Sequence, residues 1–352
     1  VDSARLTAFK ILRLVEGGGY ASELLLARAA KLDARDAALA TELVFGVLRR
    51  RLQLDYLITH FSGRPSDKLD AEVRLALEMG IFQIRYLTRI PKHAAVQASV
   101  DLVKQARLRS ASGFVNAVLR KVDRSPVSWP GRPAELSCPE WLLESWERQY
   151  GEAAALSIAR AFLKAPATTV NPDTGRIQDE GGRGIVALLQ LERGMKLLDV
   201  CAAPGNKTAQ ALALGADCVA CDKHVRRLGA LAGLGAKLVA ADATLPLPFA
   251  RRFPRVLVDA PCSGTGTLGR NPEIKWRLKP EKVLEMQALQ RAILAHAIEL
   301  LEPGGRLVYA TCSLEREENE DVAGAYHPVE IHRWLPGQGP GDGFFAAVIT
   351  CG

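Results

Sequence analysis

The stretch "RVLVDAPCSGTGTLG" and the later stretch "GGRLVYATCSLEREENED" each carry a short apolar run that leads into a cysteine, Cys262 in the first and Cys312 in the second. A thiolate is a strong nucleophile and adds covalently to an electron-poor ring carbon. Cytosine is such a ring. Its C5 is too weak a nucleophile to accept a methyl group unaided, but sulfur addition at C6 makes an enamine whose C5 can attack a methyl donor. A base must then remove the C5 proton before the carbon–sulfur bond breaks. Two cysteines and Asp259, at the end of the first run, answer those needs if the two runs are neighbouring strands.

Four acidic residues stand at or near the ends of apolar runs: Asp199, Asp222, Asp242 and Asp259. After the first comes the loop "DVCAAPGNKTAQ", which passes through Cys201, Ala202, Ala203, Pro204, Gly205, Asn206 and Lys207 into an expected helix starting near Lys207 or Thr208. A glycine there lets backbone approach a ligand, and free N–H groups at a helix start can meet a carboxylate. The loop lacks the first glycine of a phosphate-binding G-x-x-x-x-G-K-[ST] loop and is not the three-glycine dinucleotide fingerprint. Asp222 stands where a ribose acceptor is expected, and Asp242, one strand further, where it could hold an adenine amino group. Together these features describe S-adenosyl-L-methionine better than a nicotinamide dinucleotide. The plainer alternative is that the aspartates only cap helices. Cys218 and Cys221 form a C-x-x-C pair, but within a strand residues three apart face opposite sides, and no second pair exists to complete a zinc site. Both are expected as packing residues.

These residues need a sheet to bring them together. From Met195 onward "MKLLDV", "CVACD", "AKLVAAD", "RVLVDAP" and "GGRLVYAT" are short apolar runs separated by helix-length stretches, the pattern of βαβ units in a mostly parallel sheet, and "GFFAAVIT" is a further strand candidate. The first third differs. "RLTAFKILRLV", "RDAALATELVFGVLRRRLQLDYLI", "AEVRLALEMGIFQIRYL" and "HAAVQASVDLVKQARL" repeat apolar residues at helical spacing and predict a bundle of six or more helices. Asp33 and Asp36, and Ser66 and Asp67, are expected helix-start signals, Pro91 fits a first turn, and Gly113 is expected to interrupt two helices. The apolar face of "FVNAVLRK" is expected to be Phe114, Val118 and Leu119. Prolines 126, 130, 133 and 139 mark a boundary, with Trp129, Trp141 and Trp146 around it as packing residues, and helical patterning resumes from Trp141 through Leu163. The expected division is a helical domain at 1–128, a linker and reduced intermediate region at 129–180, and an α/β Rossmann-like domain at 181–352.

The chain has 352 residues, 48% of them hydrophobic, and a formal net charge of +7. Residues 1–128 carry a balance of +8 and the remainder −1, so the basic excess lies in the helical third and suits a polyanion. Charged, solvated helix faces would give the same excess. The densest run is Arg49, Arg50 and Arg51, expected either to meet that polyanion or merely to be solvated on a helix. The seven cysteines lack the pattern of a disulfide framework, and neither a secretory leader nor an apolar run near the roughly 20 residues of a membrane span is evident. A cytoplasmic chain with no membrane partner is expected.

"LLDVCAAPGNKT", "VLVDAPCSGTGTLGRNPEIKW", "LVYATCS", "GDGFFAAVI" and "IQDE" at 177–180 occur in the order found in the NOL1/NOP2/Sun family, and the chain resembles its bacterial 16S rRNA cytosine-C5 methyltransferases of the Sun/RsmB type. "HAAVQASVDLVKQAR" and "GFVNAVLRK" resemble the all-α NusB-like RNA-binding domain fused in that subfamily. The resemblance implies Cys312 as the nucleophile that forms the C6 adduct. It implies Cys262 as the residue that assists proton removal and release, and Asp259 as the contact to the cytosine edge and the methionine end of the cofactor. Residues Cys201 to Lys207 become the cofactor loop, Asp222 and Asp242 the ribose and adenine acids, and Arg227 the residue that orients Asp222. Lys207 could serve a cofactor carboxylate or the surroundings of Asp259. The implied partner is RNA, foremost 16S rRNA, with no obligate protein partner and a monomeric chain.

Three departures stand out. Asn206 replaces a second glycine, and as an asparagine it tolerates a left-handed backbone. Asn271 and Glu273 replace the histidine and aspartate of "RHPD", expected beside the target base. Between Lys164 and Gly181 the family carries a longer RNA-contacting subdomain. The readings left open are a C5 methyltransferase of tRNA or another rRNA cytosine, a DNA cytosine methyltransferase, and a non-catalytic RNA-binding or assembly protein. The "TCS" cysteine and the basic helices speak against the DNA enzyme.

Overall fold

The structure is a computed structural model that describes residues 3–339 and 341–351. Two compact units divide the chain. One runs through Glu144 and adds Ala159–Ala165 and Leu268–Trp276; the other takes Ser145–Ile158, Pro166–Thr267 and the residues from Arg277 onward.

The second unit is built on β1 (Lys196–Asp199), β2 (Asp217–Asp222), β3 (Lys237–Ala240), β4 (Phe253–Asp259), β5 (Leu301–Thr311), β6 (Glu330–Trp334) and β7 (Phe344–Thr350), in the order β3-β2-β1-β4-β5-β7-β6. The first five strands are parallel to one another. β7 runs antiparallel between β5 and β6, an arrangement the sequence reading did not anticipate. The central strands are continuous apolar runs because both faces of the sheet are covered. Leu198, Cys221, Val256 and Tyr309 lie in one buried cluster and Leu197, Cys218, Leu257 and Val308 in the other. Cys218 and Cys221 are therefore packing residues on opposite faces, as alternation along a strand requires. The strand order reverses between β1 and β4, so a crevice opens beyond their carboxyl ends.

The helical unit contains α1 (Ser3–Glu16), α2 (Ala21–Ala29), α3 (Ala34–Arg49), α4 (Arg51–Ser62), α5 (Ala71–Tyr86), α6 (Lys92–Gln105) and α7 (Ser112–Lys121) around a core that includes Leu12, Leu43, Leu57, Met79, Leu102 and Leu119. Asp33 caps α3 by accepting from the Asp36 N–H at 2.8 Å, a contact of about 1 kcal/mol. Ser66 and Asp67 do not start α5: they form a single 3-10 turn, and Asp70 precedes the helix. Gly113 does not separate two helices but sits in the first turn of α7, whose buried face is Val115, Val118 and Leu119. Phe114 is half-buried, with the Arg64 guanidinium over its ring.

The arginine run is not the free surface that the sequence led us to expect. Arg49 is buried and its Nε donates to the Gly269 carbonyl at 2.9 Å; burial lowers its pKa to about 10. Arg50 bonds Gln53 and lies over the Tyr86 ring, and Arg51 pairs with Glu16 at 2.8 Å. All three are spent inside the unit. The inserted segment Leu268–Trp276 explains part of this. Buried Lys275 donates to the carbonyls of Arg49 (2.9 Å) and Ser137 (2.8 Å), and buried Glu273 accepts from the Ala21 N–H at the start of α2 (2.9 Å). Glu273, expected beside a target base, instead completes a helix end.

Candidate active site

Adjacent β4 and β5 place Val258 opposite Tyr309 and Asp259 opposite Ala310, so the segments that leave their carboxyl ends emerge side by side. That register brings Cys262 and Cys312 together, with 3.3 Å between the sulfur atoms. The hydrogen bond with Cys312 and burial push the Cys262 thiol well above its ordinary pKa. Cys262 therefore rests as a thiol able to donate to the Cys312 sulfur.

The two segments are tied by main-chain bonds and one to a side-chain hydroxyl. The Gly266 N–H donates to the Cys312 carbonyl at 2.9 Å, the Gly343 N–H to the Gly266 carbonyl at 2.7 Å, and the Leu314 N–H to Thr265 Oγ1 at 2.8 Å. A Cβ on Gly266 would lie 2.2 Å from the Gly343 carbonyl oxygen, so only glycine fits that crossing.

The glycine loop follows β1. Asp199, fully buried at the strand end, accepts from Thr208 Oγ1 at 2.7 Å, and burial raises its pKa to about 7. Gly205 takes the left-handed conformation (φ +99), and its absent side chain leaves room for Leu231, which a Cβ would meet at 2.7 Å. The left-handed demand falls on Gly205 and not on Asn206, which begins the helix Asn206–Ala213. Asn206 is held by its side chain: Oδ1 accepts from Arg176 Nε (2.8 Å) and Nδ2 donates to the Ile177 carbonyl (3.1 Å). The shortened stretch before the loop thus supports it. Val170 and Ile177 pair as an antiparallel bridge, and buried Asn171 and Gln178 bond each other at 2.8 Å.

Lys207 settles on Asp259, with Nζ 2.6 Å from Oδ2. Burial works against the ammonium, but the attraction of Asp259 prevails and the lysine pKa is raised. Lys207 is thus a fixed cation beside the cysteines, unsuited to act as a base near neutral pH. Asp222 accepts from the His224 N–H at 2.8 Å and stands 3.5 Å from the Arg227 guanidinium, whose Nη2 also donates to the Ala203 carbonyl (2.9 Å). Arg227 spans the glycine loop and the acid. Asp242 pairs with Lys223 at 2.7 Å and accepts from Thr244, contacts that lower its pKa to about 2.

A cavity of about 480 Å³ joins these elements. Of the sequence-predicted residues, Cys201, Ala203, Asp222, Arg227, Asp242, Asp259, Cys262 and Cys312 line it. Ala202, Pro204, Gly205, Asn206 and Lys207 are not among its lining residues; they shape the loop or act through a neighbour. Lys223, His224, Thr244, Leu289 and Ile293 line it without having been singled out. Only the last two left a signal, an i, i+4 apolar pair on the helix Pro280–Ile298. The cavity suits a nucleoside with an amino-acid tail: its volume lies in the range of small-molecule sites, and carboxylates stand ready for a diol and an amine.

Residues 186–327 match the family described as 16S rRNA methyltransferase RsmB/F, and residues 2–124 match the NusB family. The ribosomal RNA small subunit methyltransferase B of Klebsiella pneumoniae (strain 342) is 31% identical, with 99% of this chain and 98% of that protein covered. The protein of the same name from Thermus thermophilus is 35% identical, covering 92% and 88%. The alignment with the Klebsiella protein spans 423 positions against 352 residues here, so that relative carries additional internal segments. Among solved structures, PH0851 superposes with a TM-score of 0.78 at 21% identity over 99% of this chain and 98% of its own, a likeness of fold.

Proposed function

We propose, on the premise that this chain belongs to the RsmB/F family of 16S rRNA methyltransferases, that it methylates C5 of one cytosine in 16S rRNA through a covalent bond between Cys312 and C6. The chain is an S-adenosylmethionine-dependent RNA methyltransferase. The observation that carries the finer reading is the 3.3 Å contact of two cysteine sulfurs at the rim of a cavity that also holds Asp222 and Asp259. A single nucleophile needs no such partner.

S-adenosylmethionine, when bound, supplies the methyl group as part of a sulfonium ion. Asp222, steadied by Arg227, would accept from ribose hydroxyls, and Asp242 would hold the adenine amino group. Asp259, fixed by Lys207, accepts a hydrogen bond from the amino edge of the cytosine. The Cys262 thiol donates to the Cys312 sulfur and orients it. Cys312 then adds its electron pair to C6, which makes C5 nucleophilic. Once C5 carries the methyl group its proton passes to water, or to the Cys262 sulfur after that thiol has released its own proton. The C5–H electrons restore the C5–C6 double bond and the C6–S pair returns to Cys312 as 5-methylcytosine leaves. The target cytosine must be presented out of its stack, since its ring face has to meet a sulfur atom.

The test is to map 5-methylcytosine in small-subunit rRNA from cells with and without the gene. One position should lose its methyl group in the deletion strain and regain it when purified protein and S-adenosylmethionine are added. Unchanged methylation there, with transfer to tRNA instead, would overturn the substrate.

A further inference from the structure

Beneath the two cysteines lies a carboxylate that lines no part of the cavity. Glu318 is 0% exposed, at the end of the 3-10 turn Arg316–Glu318 that follows β5. Its Oε1 accepts from the Ser263 N–H at 2.8 Å and from Gln290 Nε2 at 3.0 Å, while Oε2 accepts from the hydroxyls of Ser263 and Ser313. Ser263 follows Cys262 and Ser313 follows Cys312, so one carboxylate holds both residues that adjoin the sulfur pair. Gln290 also donates to the Pro261 carbonyl at 2.9 Å, which adds a second tie to the Cys262 segment. The turn is itself pinned. Tyr309 Oη donates to the Glu318 carbonyl at 2.6 Å, and Asn319 Nδ2 donates to the Ser313 carbonyl at 2.9 Å.

Burial of a carboxylate is costly unless donors surround it, and four donors converge here. A core that needed only packing would place an apolar side chain at this position. The carboxylate instead has acceptor capacity for both segments at once, and neither segment can shift without losing a charge-assisted bond.

We infer that Glu318 is a positioning residue that holds the segments of Cys262 and Cys312 at the separation their joint chemistry needs. The inference rests on the proposed two-cysteine reaction for its purpose, although the clamp can be measured without it. Glutamine at this position keeps the shape and one acceptor oxygen but removes the charge, and the two serine hydroxyls can turn to accept from its amide. Ser263→Ala is the second variant: it removes the hydroxyl's bond to Oε2 and its 3.2 Å contact with Ser313 Oγ, and leaves the carboxylate its other three donors.

Two readouts are taken on full-length protein. The first is the rate at which diamide oxidises Cys262 and Cys312 to a disulfide, in which the thiols give two electrons and two protons to the diamide; cross-linked peptide is quantified by mass spectrometry. Glu318→Gln should slow this at least about 10-fold and Ser263→Ala several-fold. The second is methyl transfer, where kcat should fall about 10-fold or more while KM for S-adenosylmethionine changes by less than about threefold. Cross-linking at the wild-type rate in folded Glu318→Gln overturns the clamp. Slowed cross-linking with unchanged kcat overturns its role in the reaction, and equal losses in kcat and cofactor affinity mark a merely structural residue. Cys312→Ala serves as the control: if it still methylates, the two-cysteine reaction fails while the cross-linking result stands by itself.

Discussion

Cys262 and Cys312 share one contact but stand at different points of the proposed path, so their loss should differ in kind. Without Cys312 no sulfur attacks C6, and Cys312→Ala should abolish both methyl transfer and any RNA–protein adduct. Cys262→Ala leaves the attack possible and impairs release, so a species resistant to denaturation should accumulate on gels with labelled RNA and S-adenosylmethionine. The double variant should resemble Cys312→Ala, and adduct in Cys312→Ala alone would reverse the roles. Asp199 offers a second test at this scale. Burial, with Asp259 adding to it and Thr208 and Lys207 opposing, raises its folded pKa to about 7. As pH rises from about 4 to 7 the unfolded chain releases this proton while the folded chain keeps it, so wild-type stability falls over that window and levels above it. Relative to Asp199→Asn the loss should approach roughly 4 kcal/mol, three pKa units at about 1.4 kcal/mol each. Urea unfolding of both proteins from pH 4 to 8 measures it; parallel profiles would sink the assignment.

The elements that carry these residues were legible where an apolar run met a distinctive end. Cys262, Cys312, Asp259 and Asp222 follow strands that alternate with helices, and β4 and β5 did prove adjacent. β6 was not legible: "EIHRW" is a half-buried strand without a continuous apolar run, and only its pairing with β7 defines it. Glu318 was hidden for another reason, since "EREENED" reads as a solvated acidic run and nothing local shows that Glu315, Glu318 and Asn319 turn inward. Nothing local to the glycines of "SGTGTLG" shows what crosses them. At Gly266 the obstacle to a side chain is backbone, the carbonyls of Gly343 and Cys312, and backbone yields only by moving. Gly266→Ala should therefore cost about 1–3 kcal/mol, the usual range for overpacking, and displace the Cys312 segment. We expect a kcat loss of about 10-fold or more with KM for S-adenosylmethionine nearly unchanged, read from steady-state kinetics beside thermal unfolding. Full activity would show that the crossing tolerates a shift without moving the nucleophile.

Charge is a property of the whole molecule, and its surplus of +8 before residue 129 must act through cations that face solvent. The arginine run does not qualify, because Arg49 is buried and Arg50 and Arg51 are engaged by Gln53, Tyr86 and Glu16. A cleft of about 670 Å³ within the helical unit does: Lys92, His93, Gln97, Asn116 and Arg120 line it, with Val96 among them and no acidic lining residue. Asp101 lies near it, bonded to the Gln97 amide and 3.6 Å from Lys104. Lys92 also donates to the Arg120 carbonyl at 2.8 Å, which holds the two cations of α6 and α7 close. A phosphodiester strand there would displace counterions from both. Replacing Lys92 and Arg120 with glutamine should weaken binding to 16S rRNA fragments and reduce the slope of log affinity against log salt by about 1.5–2, the contribution of two phosphate contacts. Affinity for S-adenosylmethionine should be unaffected, since no residue of its cavity changes. Neutralising Arg49, Arg50 and Arg51 should instead lower the unfolding temperature, because each loses a partner inside the unit. If the arginine variant stays as stable as wild type and alone loses the salt dependence, those guanidinium groups face RNA after all and the cleft does not.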